Sequence, residues 1–111
     1  MYARIARFEG GDVARIDEQI AEMKRQIDGS RSGRLPEGAP QELRTLTETV
    51  TRVIELVDRT SGTSLGVTFC KTEEDMRRAD EALNAMSPPD DSSGRRTSVD
   101  IYEVGLDESF G

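Results

Sequence analysis

The chain is predicted to fold as an α+β domain with two long helices on one face of a four-stranded antiparallel sheet. Three observations lead there. Apolar residues recur at helical spacing in two segments, Val13, Ile16, Ile20, Met23 and Ile27, then Met76, Ala79, Leu83 and Met86. Four segments rich in β-branched, apolar and aromatic residues read as strands, at Tyr2–Phe8, Val50–Asp58, Thr63–Lys71 and Arg96–Gly105. Their order is strand, helix, strand, strand, helix, strand, which is one split unit written twice. A length of 111 residues holds a single domain, here residues 1–106, followed by a tail at 107–111.

Each element has its own local signal. The first strand ends at Gly10 and Gly11, and Asp12 is placed to cap the helix that runs on to about Gly29. Residues 30–41 are rich in Gly, Ser, Arg and Pro and predict a mobile surface loop. Pro40 suits the first turn of a short helix anchored by Leu43 and Leu46. Arg59 to Gly62 lie at hairpin distance between the second and third strands. Thr72 caps the second long helix, with Glu73, Glu74 and Asp75 at its positive end, and Ser87, Pro88 and Pro89 stop it. Residues 87–95 form a second loop, with Asp90 to Gly94 expected to be mobile.

This order is that of a ferredoxin-like βαββαβ sandwich. Two helices cover one face of such a sheet, so the other face needs a partner or must be polar. The strands are apolar on both sides, and a set drawn from Tyr2, Phe8, Ile54, Leu56, Tyr102 and Val104 is assigned to the uncovered face, together with the polar Arg4, Arg52 and Asp100. A patch of this kind predicts a homodimer packed sheet to sheet. The composition agrees: Leu, Ile, Val and Phe make up 23 of 111 residues, a lean core that gains from association.

Charge and composition narrow the function. The net charge of -7 argues against nucleic acid and anionic membranes as partners, since binding phosphates needs a surplus of Lys and Arg. No His is present, so the chain offers no imidazole base and no imidazole metal ligand, and neither a metal nor another cofactor is expected. A single Cys forms no internal disulfide and suits a reducing cytoplasm, which is the expected location. The opening residues are interrupted by Arg4, Arg7 and Glu9, so no signal segment is expected there. The spacing of Gly33 and Gly38 is that of a phosphate loop, but Ala39 and Pro40 follow in place of its Lys and hydroxyl residue. Asp90 and Asp91 lack the alternating ligands of a calcium loop.

Short motifs carry a resemblance. Tyr2-Ala3-Arg4-Ile5, Val57-Asp58-Arg59 with Gly62 before Leu65-Gly66-Val67-Thr68, Thr72-Glu73-Glu74-Asp75 and Val99-Asp100-Ile101-Tyr102-Glu103-Val104 occur in order along the chain. Together they resemble the antibiotic biosynthesis monooxygenase-like domains of the dimeric α+β barrel superfamily. The resemblance implies a dimeric barrel and, as one activity, cofactor-free oxygenation of a polycyclic or phenolic substrate. Where active members carry a Tyr-Trp-Glu-Ser stretch, this chain has Phe69-Cys70-Lys71-Thr72, so Cys70 stands at the tryptophan position. With neither Trp nor His, the haem-degrading branch is excluded. Thirteen Arg against two Lys also suggests a GC-rich bacterial source.

The candidate pocket residues are Arg4, Arg52, Cys70, Asp100 and Tyr102, in which an Arg and Tyr pair would hold an enolate or carboxylate. Cys70 reads as a small buried hydrophobe rather than a nucleophile, and Asn84 as a solvated helical residue. A non-catalytic dimeric domain that binds a small apolar or aromatic molecule is the expected function, with the monooxygenase as the alternative.

Overall fold

A computed structural model of the protein describes residues 1–31, 38–86 and 94–111. Its elements are β1 (Tyr2–Glu9), a 3-10 turn (Val13–Arg15), α1 (Ile16–Arg31), α2 (Gln41–Thr49), β2 (Val50–Val57), β3 (Ser64–Cys70), α3 (Glu73–Ala85) and β4 (Arg95–Glu103). The four strands form one antiparallel sheet in the order β2-β3-β1-β4. β1 and β2 therefore run parallel with β3 between them, and β3 and β4 run parallel with β1 between them. This α+β layout is compatible with the ferredoxin-like fold expected from the element order.

Local chemistry accounts for the boundaries. Asp12 Oδ1 accepts from the Ala14 N–H at 3.0 Å, and Thr72 Oγ1 accepts from the Asp75 N–H at 3.1 Å, so both expected caps form. At the β2–β3 hairpin Asp58 Oδ1 accepts from the N–H groups of Thr60 and Ser61. Gly62 follows at φ +79, and a Cβ there would stand 2.4 Å from the Gly11 carbonyl oxygen. Only glycine allows that approach, which lets the Gly11 N–H donate to the Gly62 carbonyl at 3.3 Å and ties the hairpin to the end of β1.

The loops are shorter than expected at their described ends. α1 continues through Gly29 to Arg31, because an interior glycine weakens a helix without stopping it. Gln41 already belongs to α2 and Arg95 to β4. Residues 32–37 and 87–93, including Asp90 and Asp91 and most of the two loops expected to be mobile, lie outside the described residues.

The core is small and sits between β1, β3, α2 and α3. Cys70, Met76 and Ala79 are fully buried, with Tyr2, Leu46 and Val50 packed against them. Ala79 and Ala82 let α3 lie close on the sheet. The apolar stripe of α1 contributes less than its pattern suggests: Ile16 is buried, but Val13 is 41% and Met23 37% exposed.

The register identifies the two faces. Arg4 and Cys70 touch α3, so the even-numbered residues of β1 and β3 point toward the helices and the odd-numbered ones toward the open side. In β2, Arg52, Ile54 and Leu56 lie opposite Phe69, Val67 and Leu65 and share the open face. In β4, Ser98, Asp100 and Tyr102 lie opposite Arg7, Ile5 and Ala3 on that same face. The expected set is therefore split. Tyr2, Phe8 and Arg4 point to the helices, whereas Ile54, Leu56, Tyr102, Arg52 and Asp100 do occupy the open face. Val104 follows β4, where its N–H donates to the Met1 carbonyl at 2.9 Å. The physical reason is that a strand apolar on both sides does not announce which side the helices take.

Candidate functional site

Arg4 is a buried charged residue held by two partners. It stands on the helix side of the central strand β1 with 4% of its surface exposed. Its Nε donates to Asp80 Oδ1 at 2.8 Å and its Nη2 donates to Asn84 Oδ1 at 3.0 Å. Asp80 and Asn84 are four residues apart on α3 and so present their side chains from one face of that helix. From β4, Arg96 Nη1 donates to the same Asn84 Oδ1 at 2.8 Å. Two guanidinium groups thus meet at one amide oxygen, with one carboxylate between helix and sheet.

A β-bulge makes this convergence possible. In the β1–β4 ladder Arg7 lies opposite Ser98 but Phe8 lies opposite Arg96, which leaves Thr97 as the extra residue. Without it, strict alternation would send Arg96 to the open face with Ser98, Asp100 and Tyr102. Thr51 does the same in β2, where Val50 lies opposite Cys70 and Arg52 opposite Phe69. Each bulged threonine donates its hydroxyl to a carbonyl of the neighbouring strand, Thr97 to Arg7 at 3.5 Å and Thr51 to Phe69 at 3.2 Å.

The expected pocket of Arg4, Arg52, Cys70, Asp100 and Tyr102 is not assembled within one chain. Arg4 and Cys70 lie on the helix side. Arg52 lies on the open face of edge strand β2, with its guanidinium 5.8 Å from the centre of the Phe69 ring. Asp100 and Tyr102 lie on the opposite edge strand β4, about 14 Å away at the usual strand spacing. Cys70 is closed off in the core, and its thiol is pushed up first by burial and then by the Asp75 carboxylate, both of which favour the neutral form.

Asp80, Asn84 and Arg96 were not legible as a site in the sequence. Asn84, read there as a solvated residue, is the shared acceptor of the cluster. The available signal was that Asp80 and Asn84 border the α3 stripe at Ala79 and Leu83, so they face the rim of the sheet rather than open water.

Other ionisable groups on the helix side are also perturbed. The Tyr2 phenol is raised by desolvation and by the carboxylates of Glu73 and Glu103. Glu55 on β2 is raised by burial, partly offset by a hydrogen bond from Ser64. Beside the cluster, the helices leave part of β4 uncovered: Ile101, the partner of Arg4 in the β1–β4 ladder, is 44% exposed on the helix side. Among the described residues no group of three or more His, Cys, Asp or Glu side chains could hold a metal ion, and no helix is long and apolar enough to cross a membrane. Among protein-family models, curated proteins and solved structures, none matches the chain.

Proposed function

We propose that the chain works as a homodimer, joined through its open sheet faces, that binds a small apolar or aromatic molecule on the helix side of each sheet. The observation that carries this reading is that apolar side chains stand uncovered on both faces of one small sheet. On the open face Leu56 is 48% and Tyr102 57% exposed, beside the half-buried Ile5, Ile54 and Leu65 and the buried Val67. On the helix side Ile101 is left uncovered next to Arg4.

A second copy fits the open face in size. Four strands of about eight residues cover roughly 19 by 26 Å, so two such faces bury about 1,000 Å², near the lower bound for a specific interface. A two-fold axis along the strands lays β4 of one copy over β2 of the other. Tyr102 then lies level with Arg52 of the partner subunit and the apolar centres meet, with Asp100 two residues away along β4. This packing is also what the resemblance to dimeric α+β barrel domains implies.

The monooxygenase alternative gains no observation. Its anion-holding pair would be Tyr102 with an Arg, and within one chain Arg4 and Tyr102 lie on opposite faces and Arg52 and Tyr102 on opposite edges, so such a pair would form only between the two copies of the proposed dimer.

Titration with the neutral apolar fluorophore N-phenyl-1-naphthylamine tests the binding reading. Saturable binding at one site per chain is expected. Emission that rises without saturation would reject it.

A further inference from the structure

We propose that residues 104–110 form an arm by which each copy of the chain clasps the other, with Leu106 and Phe110 as its apolar contacts; this deepens the homodimer reading above and rests on it.

The arm is extended and touches little of its own chain. No turn or bend interrupts residues 104–109, and no residue from Val104 to Phe110 has a positive φ. Val104 is fastened to β1 by its N–H bond to the Met1 carbonyl at 2.9 Å, and beyond it every residue is exposed. Leu106 is 80% and Phe110 99% exposed, the two most exposed large apolar side chains among the described residues. A Phe ring that meets nothing of its own fold leaves its whole burial to another surface.

Alternation selects the side. Ser98, Asp100 and Tyr102 point to the open face, and the same period carried on through the extended arm brings Val104, Leu106 and Phe110 to that side, with Glu108 between the last two. The open face is where the second copy sits in the proposed dimer, so the arm continues the surface that Tyr102 begins at the end of β4. Packed sheets stand about 10 Å apart, and the extended chain from Val104 to Phe110 spans about 20 Å, enough to cross to the partner. In the packing that lays β4 over β2, Glu103 is level with Val50 of the partner subunit, so the arm runs past the start of that strand, where α2 ends.

Area favours the same occupant. The sheet faces alone bury about 1,000 Å², near the lower bound for a specific interface. The two Phe110 rings remove about 300 to 500 Å² more from water, and Leu106 with the surface that the arms cover adds to this. The total then approaches about 1,600 Å², the usual size of a specific interface. Two-fold symmetry supplies the gain twice, because each arm meets the same surface on the other copy.

The test is the dimer dissociation constant, measured by sedimentation velocity over a dilution series of the full chain and of a variant combining Leu106→Ser with Phe110→Ser. Both positions are exposed in the single chain, so the variant should keep the wild-type circular dichroism spectrum. Its dissociation constant is expected to rise at least about a hundredfold. In a sample mixed from isotope-labelled and unlabelled wild-type chains, filtered NOEs from the Phe110 ring should report contacts with the other copy. An unchanged dissociation constant, or the absence of these NOEs, would overturn the arm and leave the sheet-to-sheet dimer standing. A wild type that stays monomeric throughout the dilution series would overturn both.

Discussion

Arg4 on β1 and Asp80 on α3 are joined by a 2.8 Å hydrogen bond from Nε to Oδ1, with Arg4 4% and Asp80 27% exposed. The pair fastens α3 to the sheet. Removing Asp80 leaves a buried guanidinium with Asn84 as its remaining partner, which costs less than stripping a fully enclosed pair. Asp80→Ala should lose about 2 to 3 kcal/mol in urea unfolding. Arg4→Met combined with Asp80→Leu should lose less than Asp80→Ala alone, since no charge is left unpaired. A larger loss in the double variant would show that the pair stabilises outright.

The α3 cap is a smaller and cleaner effect. Thr72→Ala removes the acceptor of the Asp75 N–H and should cost about 1 kcal/mol, whereas Thr72→Ser retains it and should cost much less. Urea midpoints of the two variants separate these outcomes.

Glu55 supplies a dependence on pH. Its carboxyl is raised by burial, so the folded state holds its proton to higher pH than the unfolded chain does. Stability from this group therefore falls as pH rises from the ordinary glutamate value through the raised one. Glu55→Gln should raise Tm at pH 7, and the gain should shrink toward zero below the ordinary glutamate pKa of about 4.3. A gain independent of pH would assign the effect to packing instead.

Cys70 should be an inert thiol. It has no exposed surface, and both burial and Asp75 disfavour the thiolate. Iodoacetamide at pH 7 should label the native protein at least about a hundredfold more slowly than the urea-unfolded chain, because access requires opening of the core. Comparable rates would place the thiol at an accessible site.

Much of the fold was legible in the sequence because its signals are local. Asp12 and Thr72 act as caps at the positions their side chains suggest, and the hairpin turns at Gly62. The side of the sheet taken by the helices was not legible. Tyr2 and Phe8 look as suited to an interface as Ile54 and Leu56, and only the contacts of Arg4 and Cys70 with α3 decide the parity. The Arg4–Asp80–Asn84–Arg96 cluster was hidden for a further reason. The bulge at Thr97 reverses the face of Arg96, and alternation read along β4 would have sent it to the wrong side.

Dimerisation through the open face is tested most directly by sedimentation equilibrium of the wild type beside Leu56→Asp and Tyr102→Asp. Both side chains are about half exposed in the single chain, at 48% and 57%, so a charge there should leave the fold intact while burying unpaired in the interface. The wild type should sediment at twice the 12.3 kDa chain mass at micromolar concentration, and each variant at the single-chain mass with an unchanged circular dichroism spectrum. A wild type that stays at 12.3 kDa, or variants that remain dimeric, would contradict the sheet-to-sheet dimer.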